Sequence, residues 1–191
     1  MLRREVPYRV EGVMEAGRRG VASDGITCAQ VYRLYIHATP ETIWDAIVDP
    51  DQTERYGYGV RCAYDLRPGS AFMGFPSDEM RLLGAPSAAV DGVVLEVDPP
   101  RRFVHTWRML ISPELASEGF TRVSWEIDGG RFGVTRLTLT HELEGAPTVA
   151  LLTSGAMEDE GGGGGWNWVL SGLKTFVETG RTLGADRHAS T

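Results

Sequence analysis

The chain has 191 residues, which is one domain of ordinary size and enough to bury a core without disulfides or a structural metal. Nineteen Lys and Arg against 26 Asp and Glu leave a net charge of -7, a field that repels polyphosphate, so nucleic acid is not expected as a partner. Cys28 and Cys62 make no metal-ligand spacing, the first residues assemble no signal-type apolar stretch, and no segment approaches the ~18 apolar residues of a membrane span; a cytoplasmic protein without a membrane partner is expected.

Residues 1–25 are rich in charge and glycine and follow neither helical nor strand period, so they read as a tail or an extra edge element. A short helix carrying Val10, Val13 and Met14 is the alternative. A main domain is expected over 26–183, followed by a disordered tail at 184–191. It opens with Ile26 to His37, whose β-branched and aromatic residues alternate with polar ones as in a half-buried strand. Thr39 then stands as an N-cap and Pro40 at the first helical position, where its missing N–H costs nothing. Ile43, Trp44 and Ile47 share one face of that helix, and Asp49-Pro50 ends it. Asp51 to Tyr56 supplies one more turn before Gly57 and Gly59.

From Tyr58 to His141 the text is strands and turns: VRCAYDL, SAFMGF, VDGVVLEVD, RRFVHTWRML, TRVSWEID and FGVTRLTLTHEL. Arg67-Pro68-Gly69, Asp98-Pro99-Pro100 and Asp128-Gly129-Gly130 are turn chemistry between them, which predicts an antiparallel meander. Then follow an acidic turn at Met157 to Glu160, a run of glycines at 161–165, and a long amphipathic helix. Trp166, Leu170, Leu173, Phe176 and Val177 recur at its helical spacing, and Gly180 is its expected stop.

The glycine run lacks the Lys-Ser or Lys-Thr of a phosphate loop and is expected to act as a hinge over a cavity mouth. His37, His105, His141 and His188 make no zinc motif, and no G-x-S-x-G elbow or nucleophile triad is present, so no metal and no cofactor are expected. Cys62 reads as a small strand residue rather than a nucleophile. Strand parity sets His105 with Phe103 and Trp107, and His141 with Leu137 and Leu139, so both histidines are expected on the inner face, either satisfied locally or available to a ligand. The aromatic residues suit a ligand pocket of roughly 300–1,000 Å³.

The order of one strand, two short helices, about six more strands and a long last helix is that of START-like proteins. The segments ATPETIWDAI, GVVLEVDPPRRFVHTW, GVTRLTLTHEL and GWNWVLSGLKTFVETG go further and resemble the activator of 90-kDa heat-shock protein ATPase homologue family over about residues 26 to 183. The resemblance implies an α+β helix-grip fold, a curved antiparallel sheet around the C-terminal helix with a cavity between them. It does not imply one activity, because the superfamily hosts carriers, receptors, cyclases and co-chaperones. The first expectation is binding of a small hydrophobic or aromatic molecule by Phe72, Trp107, Trp125, Leu139, Trp166, Leu170 and Phe176, with His105 and His141 as polar anchors. The second is an enzyme similar to polyketide cyclases that uses the same pocket, with His105 or His141 as acid or base. Association with a chaperone ranks third, because the eukaryotic activators carry a further N-terminal domain that 25 leading residues are too few to form. A homodimer stays open.

Overall fold

The computed structural model describes residues 29–82 and 84–183. The expectations for residues 1–25 and 184–191 lie outside the described residues. β1 (Ala29–Ile36) leads to α1 (Pro40–Val48) and α2 (Pro50–Thr53), then to β2 (Arg61–Tyr64), β3 (Ala71–Phe75) and α3 (Asp78–Leu82). β4 (Val90–Asp98), β5 (Arg102–Met109), α4 (Pro113–Ser117), β6 (Thr121–Gly129) and β7 (Thr135–Glu142) follow. α5 (Pro147–Ser154), a 3₁₀ turn at Glu158–Glu160 and α6 (Gly165–Thr179) complete the described chain. The strands form one seven-stranded sheet in the order β1-β7-β6-β5-β4-β3-β2, and every adjacent pair is antiparallel. The fold is the helix grip, with α6 held by the curved sheet.

Local chemistry places the first helix as expected. Thr39 Oγ1 accepts from Thr42 N at 3.3 Å, and Ile43, Trp44, Ala46 and Ile47 are buried by the turn that follows. An N-cap of this kind is worth about 1 kcal/mol and a buried aliphatic side chain about 1.5–3 kcal/mol. Register then sets the inner face of the sheet. Phe103 pairs with Trp125 and His105 with Val123; Trp125 pairs with Leu139 and Val123 with His141. Because paired residues share a face, this row forms a continuous inner surface, and all six of these side chains are buried.

Three helices were not expected. α4 carries a local signal, Ser112 as N-cap accepting from Leu115 N at 3.3 Å with Pro113 at the first position. α5 has no side-chain cap of its own neighbourhood. Its first N–H groups are instead satisfied by Glu118, whose Oε1 accepts from Thr148 N at 3.0 Å and Oε2 from Val149 N at 2.9 Å. That carboxylate also stands where the positive end of the helix dipole favours it. α6 runs from Gly165 and ends at Gly180, a left-handed residue at φ 71° whose N–H bonds to Phe176 O at 2.7 Å. Its outer half is fastened to β1: Lys174 Nζ donates to Tyr35 O at 2.7 Å, and Glu178 Oε1 accepts from His37 N at 2.8 Å. That backbone donor is the main reason the Glu178 carboxyl titrates lower than usual, with Lys174 adding to it.

The glycine run is packed rather than open. Gly163, Gly164 and Gly165 are buried. At Gly165, φ is 56°, and a Cβ would stand 2.2 Å from Thr153 O and 2.7 Å from Gly155 N. Close approach of two backbones, at the end of α5 and the start of α6, is what requires glycine there. The expected hinge is therefore a tight junction.

Candidate functional site

The inner face of β2 to β6, the segment after α2 and the first turns of α6 enclose a cavity of about 190 Å³. β5 contributes His105, Trp107 and Met109, while β3 contributes Phe72 and β6 Trp125. Trp166 and Val169 reach it from α6, and Tyr56, Tyr58 and Val60 come from the segment after α2. Cys62 and Tyr64 of β2, with Met80, Ala89 and Leu115, close further sides. Among the described residues, no Asp, Glu, Lys or Arg lines it. The cavity is below the size range expected from the sequence.

Two tryptophan–histidine pairs organise the inner wall. Trp125 Nε1 donates to His105 Nε2 at 3.3 Å, and His105 Nδ1 lies 2.9 Å from Thr106 O. An indole N–H only donates and a carbonyl only accepts, so His105 is neutral with its proton on Nδ1. Trp166 Nε1 donates to His141 Nδ1 at 3.0 Å, while His141 Nε2 lies 2.8 Å from Thr121 Oγ1. Thr121 Oγ1 gives its own proton to Trp107 O at 2.7 Å, which leaves His141 neutral with its proton on Nε2. Burial pushes His105 down to about 4, against a weaker opposing bond to Thr106. Burial also pushes His141 down to about 3, with nearby His105 adding to the effect. Both rings have each nitrogen occupied, and neither offers a free acid or base to the cavity.

Other polar groups of the lining are satisfied in the same way. Tyr56 Oη donates to Ala46 O at 3.0 Å, and Tyr58 Oη accepts from Gly165 N at 2.9 Å. Thr53 Oγ1 accepts from Cys62 N at 2.9 Å and donates to Pro50 O at 3.1 Å. Burial pushes the Cys62 thiol up to about 11, outweighing its hydrogen bond with Tyr64, so it stays protonated at neutral pH. Burial likewise raises the Tyr64 phenol far above its ordinary range. Among the described residues, no buried side-chain nitrogen or oxygen lacks a hydrogen-bond partner. Nor do any three His, Cys, Asp or Glu side chains among them form a group that could hold a metal ion. Among the described residues, no helix is long and apolar enough to cross a membrane.

Of the side chains expected at the site, Phe72, His105, Trp107, Trp125 and Trp166 line the cavity, while Leu139, His141, Leu170 and Phe176 do not. Leu139 and Leu170 are spent in the core between sheet and helices. His141 sits behind Trp107 and Trp166, with ring centroids 5.3 and 5.9 Å away. Phe176 stacks on Tyr56 at 6.2 Å, and the Arg55 guanidinium covers it at 4.4 Å. The lining residues not anticipated include Tyr64, Tyr58, Cys62, Met80, Met109 and Val169. Tyr64 was legible from Phe72, since the two are register partners and stack at 4.8 Å. Val169 lies one helical turn from Trp166, whereas Tyr58 is brought in by a turn and Met80 by the short helix α3, neither of which carries a periodic signal.

The sequence profile described as "Activator of Hsp90 ATPase homolog 1-like protein" matches residues 37–178. No curated protein matches the chain. Among solved structures, protein MLL2253 from Mesorhizobium loti is similar at 18% identity and a TM-score of 0.58, over 78% of this chain and 96% of that one. Protein SSP2350 from Staphylococcus saprophyticus is similar at 18% identity and 0.58, over 83% and 97%. CalU16 from Micromonospora echinospora is similar at 21% identity and 0.53, over 80% and 77%. At these identities the likeness is one of fold.

Proposed function

The chain belongs to the Activator of Hsp90 ATPase homolog 1-like family, and from that premise we propose that it binds a small apolar or aromatic molecule in the cavity between its sheet and α6. The observation that carries the proposal is a cavity lined mostly by aromatic and apolar side chains, with no buried side-chain nitrogen or oxygen among the described residues left without a partner. Such a wall gains from apolar contact at about 25 cal/mol per Å² removed from water and loses little by excluding water. Phe72, Trp107, Trp125 and Trp166 are the proposed walls, joined by Tyr64 and Val169. His105 acts as a support that holds the Trp125 ring, rather than as an anchor for the ligand. His141 does the same for Trp166.

The cyclase-like alternative asks one of these histidines to move a proton at neutral pH. The occupied nitrogens and depressed titration of both rings argue against that role. Any catalysis in the cavity would then rest on orientation of the substrate alone.

Native mass spectrometry of freshly purified protein, beside its denatured mass, tests the binding reading together with ligand-observed NMR using 2-naphthol. The expected result is a non-covalent adduct, or saturable 2-naphthol binding that Val169→Phe weakens by filling the cavity. Protein that carries no adduct and shows no saturable binding overturns it.

A further inference from the structure

We propose that the cavity selects for an uncharged, flat ligand of one or two fused rings, and that it rejects charged amphiphiles and long-chain lipids. This deepens the binding reading above and rests on it.

Charge is the first discriminator. Among the described residues, none that lines the cavity is acidic or basic apart from the two-fold satisfied His105. Several charged groups adjacent in sequence to lining residues are engaged elsewhere: Arg61 with Asp51 and Glu54, Arg108 with Asp91, and Arg55 with Phe176 and with Gly180 O. An ionised group entering this space loses its hydration and finds no counter-charge among the described lining residues. A polar substituent fares better only if it is neutral.

Shape and size are the second. An apolar protein cavity of roughly 150 Å³ stays dry and takes benzene, and a volume of about 190 Å³ is only modestly larger. Drug-sized ligands occupy pockets of about 300 Å³ and above, so a long acyl chain does not fit wholly inside this one and would leave part of its length in water. The wall itself is flat and polarisable. Trp125 and Trp166 meet edge to face at 89° and 5.7 Å, and Trp107 and Trp166 lie 6.4 Å apart. Tyr64 stacks on Phe72 at 4.8 Å. Cys62, Met80 and Met109 line the same cavity, and divalent sulfur makes favourable contacts with aromatic rings. Ring faces and ring edges are thus both on offer to a planar guest.

The test measures wild-type affinity for 2-naphthol, 2-naphthoate, 2-naphthyltrimethylammonium and 1-dodecanol by ligand-observed NMR and calorimetry at neutral pH. The expected result is saturable binding of 2-naphthol, with both charged naphthalenes weaker by about a hundredfold or more and dodecanol weaker than 2-naphthol. Val169→Phe and, independently, Val60→Phe are expected to weaken 2-naphthol, which locates the binding in this cavity. Binding of the anion or of dodecanol as tight as that of 2-naphthol overturns the selectivity while leaving the binding reading intact. Equal or tighter binding of the ammonium probe overturns it in favour of an aromatic cage for cations. Absence of saturable binding by all four removes the binding reading, and the selectivity with it.

Discussion

Trp166 on the first turn of α6 donates its indole N–H to Nδ1 of His141 on β7 across 3.0 Å. The bond fastens the cavity-side end of the helix to β7, the strand beside the edge strand β1. His141 is fully buried in the folded protein.

Replacing Trp166 by Phe keeps most of the ring but leaves that buried acceptor without a donor. The expected loss is about 1–3 kcal/mol of stability, read from urea denaturation. A stability equal to wild type would show that the bond adds nothing to folding.

The two neutral histidines make stability depend on pH. In the unfolded chain both titrate near the ordinary value of about 6.5, whereas the folded protein holds His105 neutral down to about 4 and His141 down to about 3. Below pH ~6.5 the unfolded chain therefore binds more protons, and stability falls as pH falls, by up to about 1.4 kcal/mol per pH unit for each ring. The urea midpoint is expected to drop between pH 7 and 5, above the range in which carboxylates titrate. His141→Gln should shallow that slope, and a flat wild-type profile would contradict the assignment.

Gly165→Ala is expected to be among the most damaging single-methyl additions in the chain. The new Cβ meets the Thr153 carbonyl oxygen at 2.2 Å, and neither backbone can yield without breaking the junction of α5 and α6. Gly69→Ala and Gly180→Ala are the comparisons, since nothing lies within 4 Å of either Cβ. They should cost only the left-handed backbone penalty of about 1–2 kcal/mol. Thermal denaturation of the three variants checks the order.

Cys62 should resist thiol reagents in the folded protein. Its thiol is pushed up to about 11, so the thiolate that reacts is scarce even though the side chain is only partly buried. On a Cys28→Ser background, reaction with a disulfide reagent at pH 8 is expected to be slower by about a hundredfold or more than in denaturant. Equal rates would mean that the cavity wall opens freely.

Much of the architecture was legible because its signals are local. Thr39-Pro40 caps α1 from adjacent residues, the alternation in β5 to β7 shows through each strand separately, and Gly180 stops α6 where it was expected. α4 carried a comparable signal in Ser112-Pro113, overlooked between two strands. α5 carried none, since its donors are satisfied by Glu118, thirty residues earlier in the chain. The site was legible in part for the same reason. Parity assigns Phe72, His105, Trp107 and Trp125 to the inner face, but it assigns Leu139 and His141 there equally, and only the seating of the helices decides which of them meet a cavity.

The sequence by itself determined most of the elements in their order, the inner row of aromatic residues and the acidic character of the chain, because periodicity, capping and charge are properties of neighbouring residues; the helix grip was what its resemblance to START-like proteins implied. The tertiary structure decided what the histidines are. A ring nitrogen becomes a support or a catalyst according to the group folded within about 3 Å of it. Here an indole from α6, an indole from β6, a threonine hydroxyl and a main-chain carbonyl meet the two rings. That meeting turns two candidate catalysts into fixed, uncharged struts and leaves the cavity apolar.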